Sequence, residues 1–325
     1  MTDGVNHWVK HVPAFLVDDL RKRRFPIFFL GSGFGREALP ALPTGGDLAS
    51  SLIAELRVED GHTGLAELLQ YLKNANANSA QSVSEWLKER LFHSGATIAS
   101  PGGAYYLLLS LRTREILTTN YDLLLRRAAP DALKPDDWKE AVSVADYQRM
   151  LQRYPSATVC GYVHGSFDES GLATLIATTD DYITLFRQSR WLKYLSQRFQ
   201  TTSCVFIGYS LRDFTTWTSF ISAIFSDPKR IPPHVMVSPS GSEHERDFWQ
   251  KYNIKHVPLK AYQFLIALHE QLGTLNNNAA PAAAAASLKC SLMDAERRLT
   301  EVSTSMHYTQ PIDAAHHIIR ESHVR

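Results

Sequence analysis

Phe25-Pro26-Ile27-Phe28-Phe29-Leu30-Gly31-Ser32-Gly33-Phe34-Gly35 joins a short apolar run to three glycines within five residues. The four apolar side chains from Ile27 to Leu30 are typical of a parallel strand covered on both faces, and the loops after such strands hold ligands. Because glycine adopts positive φ and lets backbone approach an anion, the loop is predicted to bind phosphate. A glycine turn without a ligand fits this stretch alone equally well. Arg36 stands where the G-x-G-x-x-G dinucleotide fingerprint needs its third glycine.

The segment after the glycines is predicted to delay the next helix. Residues 39–47 are rich in proline and glycine, and apolar residues recur at helical spacing only from Leu48 to Leu56. The loop is therefore expected to lie roughly ten residues before the helix, where it could close over a ligand. Residues 61–100 show helical patterning without a strand, which predicts an all-helical insertion.

From Gly102 onward, predicted strands and helices alternate. This alternation predicts an α/β fold built on a doubly wound, mostly parallel, Rossmann-like sheet. The predicted strands are 115–119, 157–163, 204–209, 234–237 and 254–257, and the predicted helices are 104–111, 121–127, 181–198, 213–225, 243–251 and 262–272.

The composition limits the class of protein. The chain has 325 residues, a formal net charge of +1 and three widely spaced cysteines, Cys160, Cys204 and Cys290. This charge gives no reason to expect direct nucleic-acid binding or an anionic membrane partner. No window approaches 18 uncharged apolar residues, and the cysteines form no disulfide framework. A cytoplasmic location is therefore expected.

The last fifty residues differ from the rest. Residues 276–287 are asparagine- and alanine-rich and predict a linker between a domain at 1–275 and a C-terminal helix and tail at 288–325. Leu288, Leu292, Ala295, Leu299 and Val302 follow the spacing of a coiled-coil seam. Docking of this helix on its own domain and contact with a partner are equally compatible with the pattern.

Polar motifs lie where predicted strands end or helices begin. Helix capping is the alternative explanation for the acidic ones, and a satisfied core residue is the alternative for the histidine. The motifs are Thr118-Thr119-Asn120-Tyr121-Asp122, His164-Gly165, Thr178-Thr179-Asp180-Asp181-Tyr182 and Gly208-Tyr209-Ser210-Leu211-Arg212-Asp213.

Taken with the glycine loop, the order of these motifs resembles the sirtuin-like NADases of bacterial anti-phage defence, relatives of the NAD-dependent sirtuin deacylases. The resemblance covers about residues 25–272 and rests on five short motifs in the same order. It implies an enzyme that cleaves NAD+ to nicotinamide and ADP-ribose when infection triggers it.

The resemblance also implies a role for each matching residue. Asn120 would lie beside the nicotinamide ribose and His164 would be the catalytic histidine. Asp122 would recognise the nicotinamide carboxamide, and the glycine loop would hold the pyrophosphate. Gly208 and Ser210 would contact the adenosine-side ribose or phosphate. The implied NAD-binding residues are Gly31, Ser32, Gly33, Phe34, Gly35, Asp122, Gly208 and Ser210.

The residue types suit this chemistry. Cleavage of the bond to nicotinamide passes through an oxocarbenium-like state, which needs a positioned water and a base. The Asn120 carboxamide can hold a water or a ribose hydroxyl, and a neutral His164 can accept a proton near pH 7. No set of histidines, cysteines and carboxylates has zinc spacing, so no metal is expected.

One departure from the deacylases separates the possible functions. Protein-deacylating sirtuins carry paired cysteines after the histidine, and this chain has no cysteine between Gly165 and Ser203. Plain NAD+ cleavage is therefore favoured over protein deacylation or ADP-ribosyl transfer, and a non-catalytic module that senses NAD or ADP-ribose is the third possibility. Because unregulated cleavage would kill the cell, a homo-oligomer or a separate sensor or ATPase-type defence protein is expected as partner.

Overall fold

The computed structural model describes residues 7–39, 42–57, 64–75, 80–92, 103–167, 175–188, 190–209, 218–219 and 231–274. Its strands are β1 (Ile27–Leu30), β2 (Glu115–Thr118), β3 (Trp138–Ala141), β4 (Thr158–Tyr162), β5 (Cys204–Ile207), β6 (His234–Val237) and β7 (Ile254–Val257). They form one sheet in the order β3-β4-β2-β1-β5-β6-β7, and every described pair is parallel. The predicted doubly wound α/β fold is confirmed.

Helices cover both faces of this sheet. They are α1 (Ala14–Arg21), α2 (Ser32–Ala38), α3 (Gly45–Leu56), α4 (Leu65–Ala75), α5 (Ala80–Phe92), α6 (Gly103–Ser110), α7 (Leu124–Ala132), α8 (Val144–Arg153), α9 (Thr179–Gln188), α10 (Arg190–Thr201), α11 (Glu243–Lys251) and α12 (Ala261–Leu272).

Strand β1 lies at the centre of the sheet and has no solvated face. Phe28 and Leu30 pack into one hydrophobic core, whereas Ile27 and Phe29 pack into a second core on the other side. Each of the four side chains is at most 1% exposed. The unbroken apolar run is explained by this two-sided burial, as predicted.

Three helices are described between α2 and α6, and two of them, α4 and α5, lie within residues 61–100, where the sequence predicted a helical insertion. Helices α3, α4 and α5 follow one another, and we call these three helices the helical layer. The Trp86 indole of α5 donates to the Glu55 carboxylate of α3 over 2.7 Å, and Arg90 forms an ion pair with the same carboxylate. Thr44 and Asp47 form a capping box at the start of α3.

The prediction of a long loop after the glycines is wrong. Helix α2 begins at Ser32, directly after β1, so Gly33 and Gly35 lie inside a helix. The first turn forms because the Phe34 amide donates to the Gly31 carbonyl over 3.0 Å. This short helix ends at Ala38, and α3 starts at Gly45 rather than at Leu48.

Other differences have local causes. Strand β3 was not predicted, because it lies at the sheet edge with three of its four residues only half-buried and so lacks an apolar run. Helix α8, which follows it, was not predicted either. The helix predicted over 181–198 consists of α9 and α10. The predicted helix 213–225, apart from residues 218–219, and the linker and tail at 276–325 lie outside the described residues.

Candidate functional site

Four neighbouring strands end in register at the carboxyl edge of the sheet. Leu30 of β1 pairs with Thr118 of β2 and with Ile207 of β5, and Thr118 pairs with Tyr162 of β4. Neighbouring strands lie 4.7–4.9 Å apart, so these ends span about 15 Å. The strand order reverses between β1 and β5, which is where open α/β sheets form a ligand crevice. One or two residues beyond the paired positions stand Gly31, Asn120, His164 and Gly208.

The glycines of two loops touch at this reversal. A Cβ on Gly31 would lie 2.5 Å from the Gly208 carbonyl oxygen, and a Cβ on Gly33 would lie 2.8 Å from it. The Gly33 amide donates to that same oxygen over 2.9 Å. These glycines are therefore required by the close approach of the loops after β1 and β5.

The expected positive φ belongs to a different glycine. Gly31 has φ −109°, and Gly33 and Gly35 lie within a helix, so the prediction of left-handed backbone in the first loop is wrong. Gly208 has φ +61°. Because the amides of Gly31, Gly33 and Phe34 donate to carbonyls of the protein, the first loop presents fewer amides to an anion than the sequence indicated.

Asn120 joins the ends of β2 and β1. Its Nδ2 donates to the Gly31 carbonyl over 3.0 Å, and its backbone amide donates to the Thr118 hydroxyl over 3.0 Å. The Asn120 side chain also acts to lower the pKa of the nearby Asp122 carboxyl. Since Nδ2 is bonded to Gly31, Oδ1 is the atom that can accept a hydrogen bond from a water or a hydroxyl. Asn120 therefore does not cap a helix.

Asp122 is a buried acid beside this carboxamide. It is 7% exposed, and its Oδ1 accepts from the Leu124 amide at the start of α7, although the N-cap position itself is Leu123. Burial raises the pKa of Asp122 to about 6, while the hydrogen bond from the Leu124 amide and the nearby side chains of Asn120 and Tyr105 act in the opposite direction. Burial, followed by the nearby Asp122 charge, raises the pKa of Tyr105 well above its ordinary value. Near neutral pH, Asp122 can exchange a proton.

The raised pKa of Asp122 makes stability depend on pH. The folded carboxyl, with a pKa of about 6, binds its proton more tightly than an unfolded carboxyl at 3.8, so this group costs stability as pH rises between these values. The full cost above pH 7 is about 3 kcal/mol. We expect Asp122→Asn, which keeps an acceptor for the Leu124 amide, to gain stability relative to the wild type between pH 5 and pH 8.

Urea unfolding at the two pH values measures this gain. The control is Asp136→Asn, which removes a fully exposed carboxylate and should change stability equally at both pH values. If Asp122→Asn and Asp136→Asn respond alike to pH, Asp122 is not the buried acid described above.

His164 lies two residues beyond β4 and is 4% exposed. Its Nδ1 is 3.5 Å from the Tyr182 hydroxyl, a long hydrogen bond, and the two rings pack edge to face with centroids 5.3 Å apart. The Tyr121 ring lies on another side, 6.5 Å between centroids. The following Gly165 has φ +76°, which turns the chain away directly after the histidine. The imidazole is thus held between two aromatic rings.

The acidic motif before α9 is a helix cap, which was one of its two possible explanations. The Asp181 carboxylate accepts from the amides of Ala177 and Thr178, and the Thr178 hydroxyl accepts from the Asp181 amide over 3.3 Å. This is a reciprocal cap at the first turn. Its consequence for the site is that the capped helix carries Tyr182 to His164.

A cleft lies on the other side of the glycine contact. It has a volume of about 690 Å³ and is lined by Gly33 and Gly208 and by the ends of β6 and β7, with Trp249, His256 and Lys260 around it. Asn120 and His164 do not line it. The glycine contact therefore separates a cleft over β5, β6 and β7 from polar side chains over β2 and β4.

The Glu37 carboxylate fixes one wall of this cleft. It accepts from the amides of Ala261 and Tyr262, over 2.7 and 2.9 Å, and so caps α12 from α2. The sequence patterns did not point to Glu37 or Tyr105, and they contained Tyr182 only as part of the motif before α9, because nothing local marks a side chain whose partner is distant along the chain. Ser210, predicted to contact the ligand, lies outside the described residues.

The described residues contain neither a metal-binding cluster nor a membrane-spanning helix. No group of three or more histidine, cysteine, aspartate or glutamate side chains in them is arranged to hold a metal ion. Likewise, no helix among them is long and apolar enough to cross a membrane.

Part of the chain is similar to a known domain family. Residues 114–257 match the family model of the SIR2-like domain. Two solved structures are similar: a Sir2 homologue in complex with NAD, and a histidine-to-asparagine mutant of a Sir2 homologue in complex with ADP-ribose. Each is 13% identical over 82% of this chain, covering 96% and 100% of the other, with TM-scores of 0.48 and 0.46. No curated protein matches. Residues 114–257, which run from the start of β2 to the end of β7, are thus similar to a SIR2-like domain.

Proposed function

We propose that this chain is an NAD+ glycohydrolase that releases nicotinamide and ADP-ribose. The observation that carries the proposal is the register of β4, β2, β1 and β5, which places His164, Asn120, Gly31 and Gly208 on one edge of the sheet. A dinucleotide can extend along such an edge, and a SIR2-like domain gives the NAD+ assignment its chemical class.

In the proposed reaction, the bond between the nicotinamide nitrogen and C1′ of the ribose breaks, and nicotinamide leaves with the electron pair. Water attacks C1′, and its proton passes to His164, which gives ADP-ribose. Asn120 Oδ1 accepts a hydrogen bond from the water or from a ribose hydroxyl, which holds it for attack. His164 acts as general base in its neutral form.

The remaining site residues bind the substrate in this proposal. Asp122, with a pKa of about 6, hydrogen-bonds the nicotinamide carboxamide as acceptor or, when protonated, as donor. The Ser32 hydroxyl and the remaining amides of the first turn of α2 contact the pyrophosphate. Gly208 and Ser210 contact the adenosine-side ribose or phosphate, which places that end of NAD+ towards the cleft.

The direct test is to incubate the purified full chain with NAD+ and to measure released nicotinamide by chromatography. The incubation is repeated with lysate of phage-infected cells, because the proposed role is an infection-triggered effector that depletes NAD+. An acetylated peptide and a labelled NAD+ are added in parallel. Deacetylated peptide or labelled protein without free ADP-ribose would overturn the hydrolase proposal.

The triggered state is proposed to need self-association or a separate defence protein. Deleting residues 276–325 is expected to leave a folded domain that binds NAD+ but has lost its normal oligomer or partner complex and its triggered cleavage. Light scattering and the nicotinamide assay on the same truncated protein measure both. Unchanged mass, partner binding and triggering would show that the tail has no regulatory part.

A further inference from the structure

The helical layer forms hydrogen bonds to α9, the helix that packs against His164. Gln70 of α4 makes two hydrogen bonds to Asp180 in the first turn of α9: its Nε2 donates to the Asp180 carboxylate over 2.9 Å, and its Oε1 accepts from the Asp180 amide over 3.0 Å. The Lys73 ammonium lies 3.7 Å from the same carboxylate. The first amides of a helix have no partner within it, so Gln70 supplies an acceptor that α9 itself lacks.

The same segment is held from the opposite side. The Ile176 amide donates to the His164 carbonyl over 2.9 Å, and the Ile176 carbonyl accepts from the Tyr121 hydroxyl over 2.6 Å. Residues 176–182 are thus fixed to the sheet at one end and to the helical layer at Asp180. Tyr182, two residues beyond Asp180, reaches the imidazole of His164.

We infer that Gln70 and Tyr182 are positioning residues, through which the helical layer sets the orientation of the His164 ring. The inference rests on the proposed function in giving His164 a catalytic role. Neither residue needs to touch NAD+. Rotation or withdrawal of α9 would move the Tyr182 hydroxyl from Nδ1 and loosen the ring, and small misplacements of a catalytic group are costly.

The chain offers a matched control for this inference. Glu55, like Gln70, joins two helices through side-chain hydrogen bonds, but its partners Trp86 and Arg90 lie within the helical layer, and it makes no described contact with residues 175–182. Glu55→Ala therefore weakens the helical layer without releasing α9. Comparing Gln70→Ala with Glu55→Ala separates loosening of the layer from loosening of the histidine.

The kinetic experiment uses the full chain under activating conditions. Gln70→Ala and Tyr182→Phe are each expected to lower kcat about tenfold with KM for NAD+ within about twofold, since the loss is in the chemical step. The double variant should be little worse than either single one, because both act on the same ring. Glu55→Ala should leave kcat within about twofold. An equal decrease of kcat in Gln70→Ala and Glu55→Ala would overturn the inference, and so would a decrease of kcat in the double variant that equals the product of the two single effects.

A second measurement does not depend on turnover. Imidazole ¹⁵N signals of His164, assigned by their absence in His164→Gln, report its tautomer and mobility. They should change in Gln70→Ala and Tyr182→Phe and stay as in wild type in Glu55→Ala. If wild type releases no nicotinamide, the proposed function fails while this readout still decides the positioning inference. Unchanged His164 signals in Gln70→Ala would contradict it.

Discussion

Asn120→Ala and His164→Ala are each expected to lower NAD+ cleavage by at least about 100-fold, because a general base alone contributes about 10²–10⁴ and a misplaced nucleophile costs a similar factor. His164 makes long or ring contacts through its side chain, and Asn120 presents Oδ1 beyond the hydrogen bond to Gly31. Their loss should therefore remove chemistry more than structure. Nicotinamide release under activating conditions, with KM determined separately, measures the effect.

Thermal unfolding and circular dichroism of the same variants supply the control. Asn120→Ala loses the hydrogen bond between β2 and β1, which costs about 1 kcal/mol, so a melting temperature lower by a few degrees is expected. Near wild-type turnover in either variant would refute its catalytic assignment. Loss of folding would instead give Asn120 or His164 a purely structural role.

Gly208→Ala is expected to destabilise the fold severely, by about 3 kcal/mol or more. A Cβ at this position would overlap the Phe34 amide nitrogen and the Gly33 carbonyl carbon, which are backbone atoms that no rotamer change can move. Overpacking typically costs about 1–3 kcal/mol, and the left-handed φ of +61° adds about 1 kcal/mol. For a chain of this size, the melting temperature should fall by about 6–12 °C, or the protein should not accumulate in soluble form.

Gly273→Ala is the matched control. Gly273 has nearly the same φ, +67°, but a Cβ there meets nothing within 4 Å. It ends α12 in the left-handed conformation, so alanine should cost only about 1 kcal/mol. Urea unfolding of the two variants compares them directly. Similar losses would mean that the contact between the loops after β1 and β5 has little energetic weight.

Sequence patterns predicted the strands whose apolar residues are visible between turns and failed at a strand that has few of them. Strands β6 and β7 match their predicted bounds, 234–237 and 254–257. All four residues of β6 are buried, as are Ile254 and Val257 at the two ends of β7, so both strands leave a local apolar signal. Edge strand β3 was not predicted, because Trp138, Lys139 and Glu140 are only half-buried and Ala141 alone is buried. Helix α2 was missed because its glycines are poor helix formers, and tertiary contacts with Gly208 override that preference.

For the candidate site, the sequence by itself determined which side chains follow the strands. A parallel strand brings its carboxyl end to one edge, so Asn120 after β2 and His164 after β4 had to meet the same edge as Gly31. Predicting that these residues share one edge needs only the positions of the strands, since in a parallel sheet all strands run in the same direction. The functional expectation came from motif order and not from any contact.

Only the tertiary structure decided what surrounds these side chains. Gly31 needs glycine because of Gly208, 177 positions later, and Asp122 has a pKa of about 6 because distant elements remove water from it. The approach of Tyr182 to His164, and of Gln70 to Asp180, likewise joins separate elements. The physical reason is that periodicity reflects neighbours along the chain, whereas close packing and desolvation sum over neighbours in space.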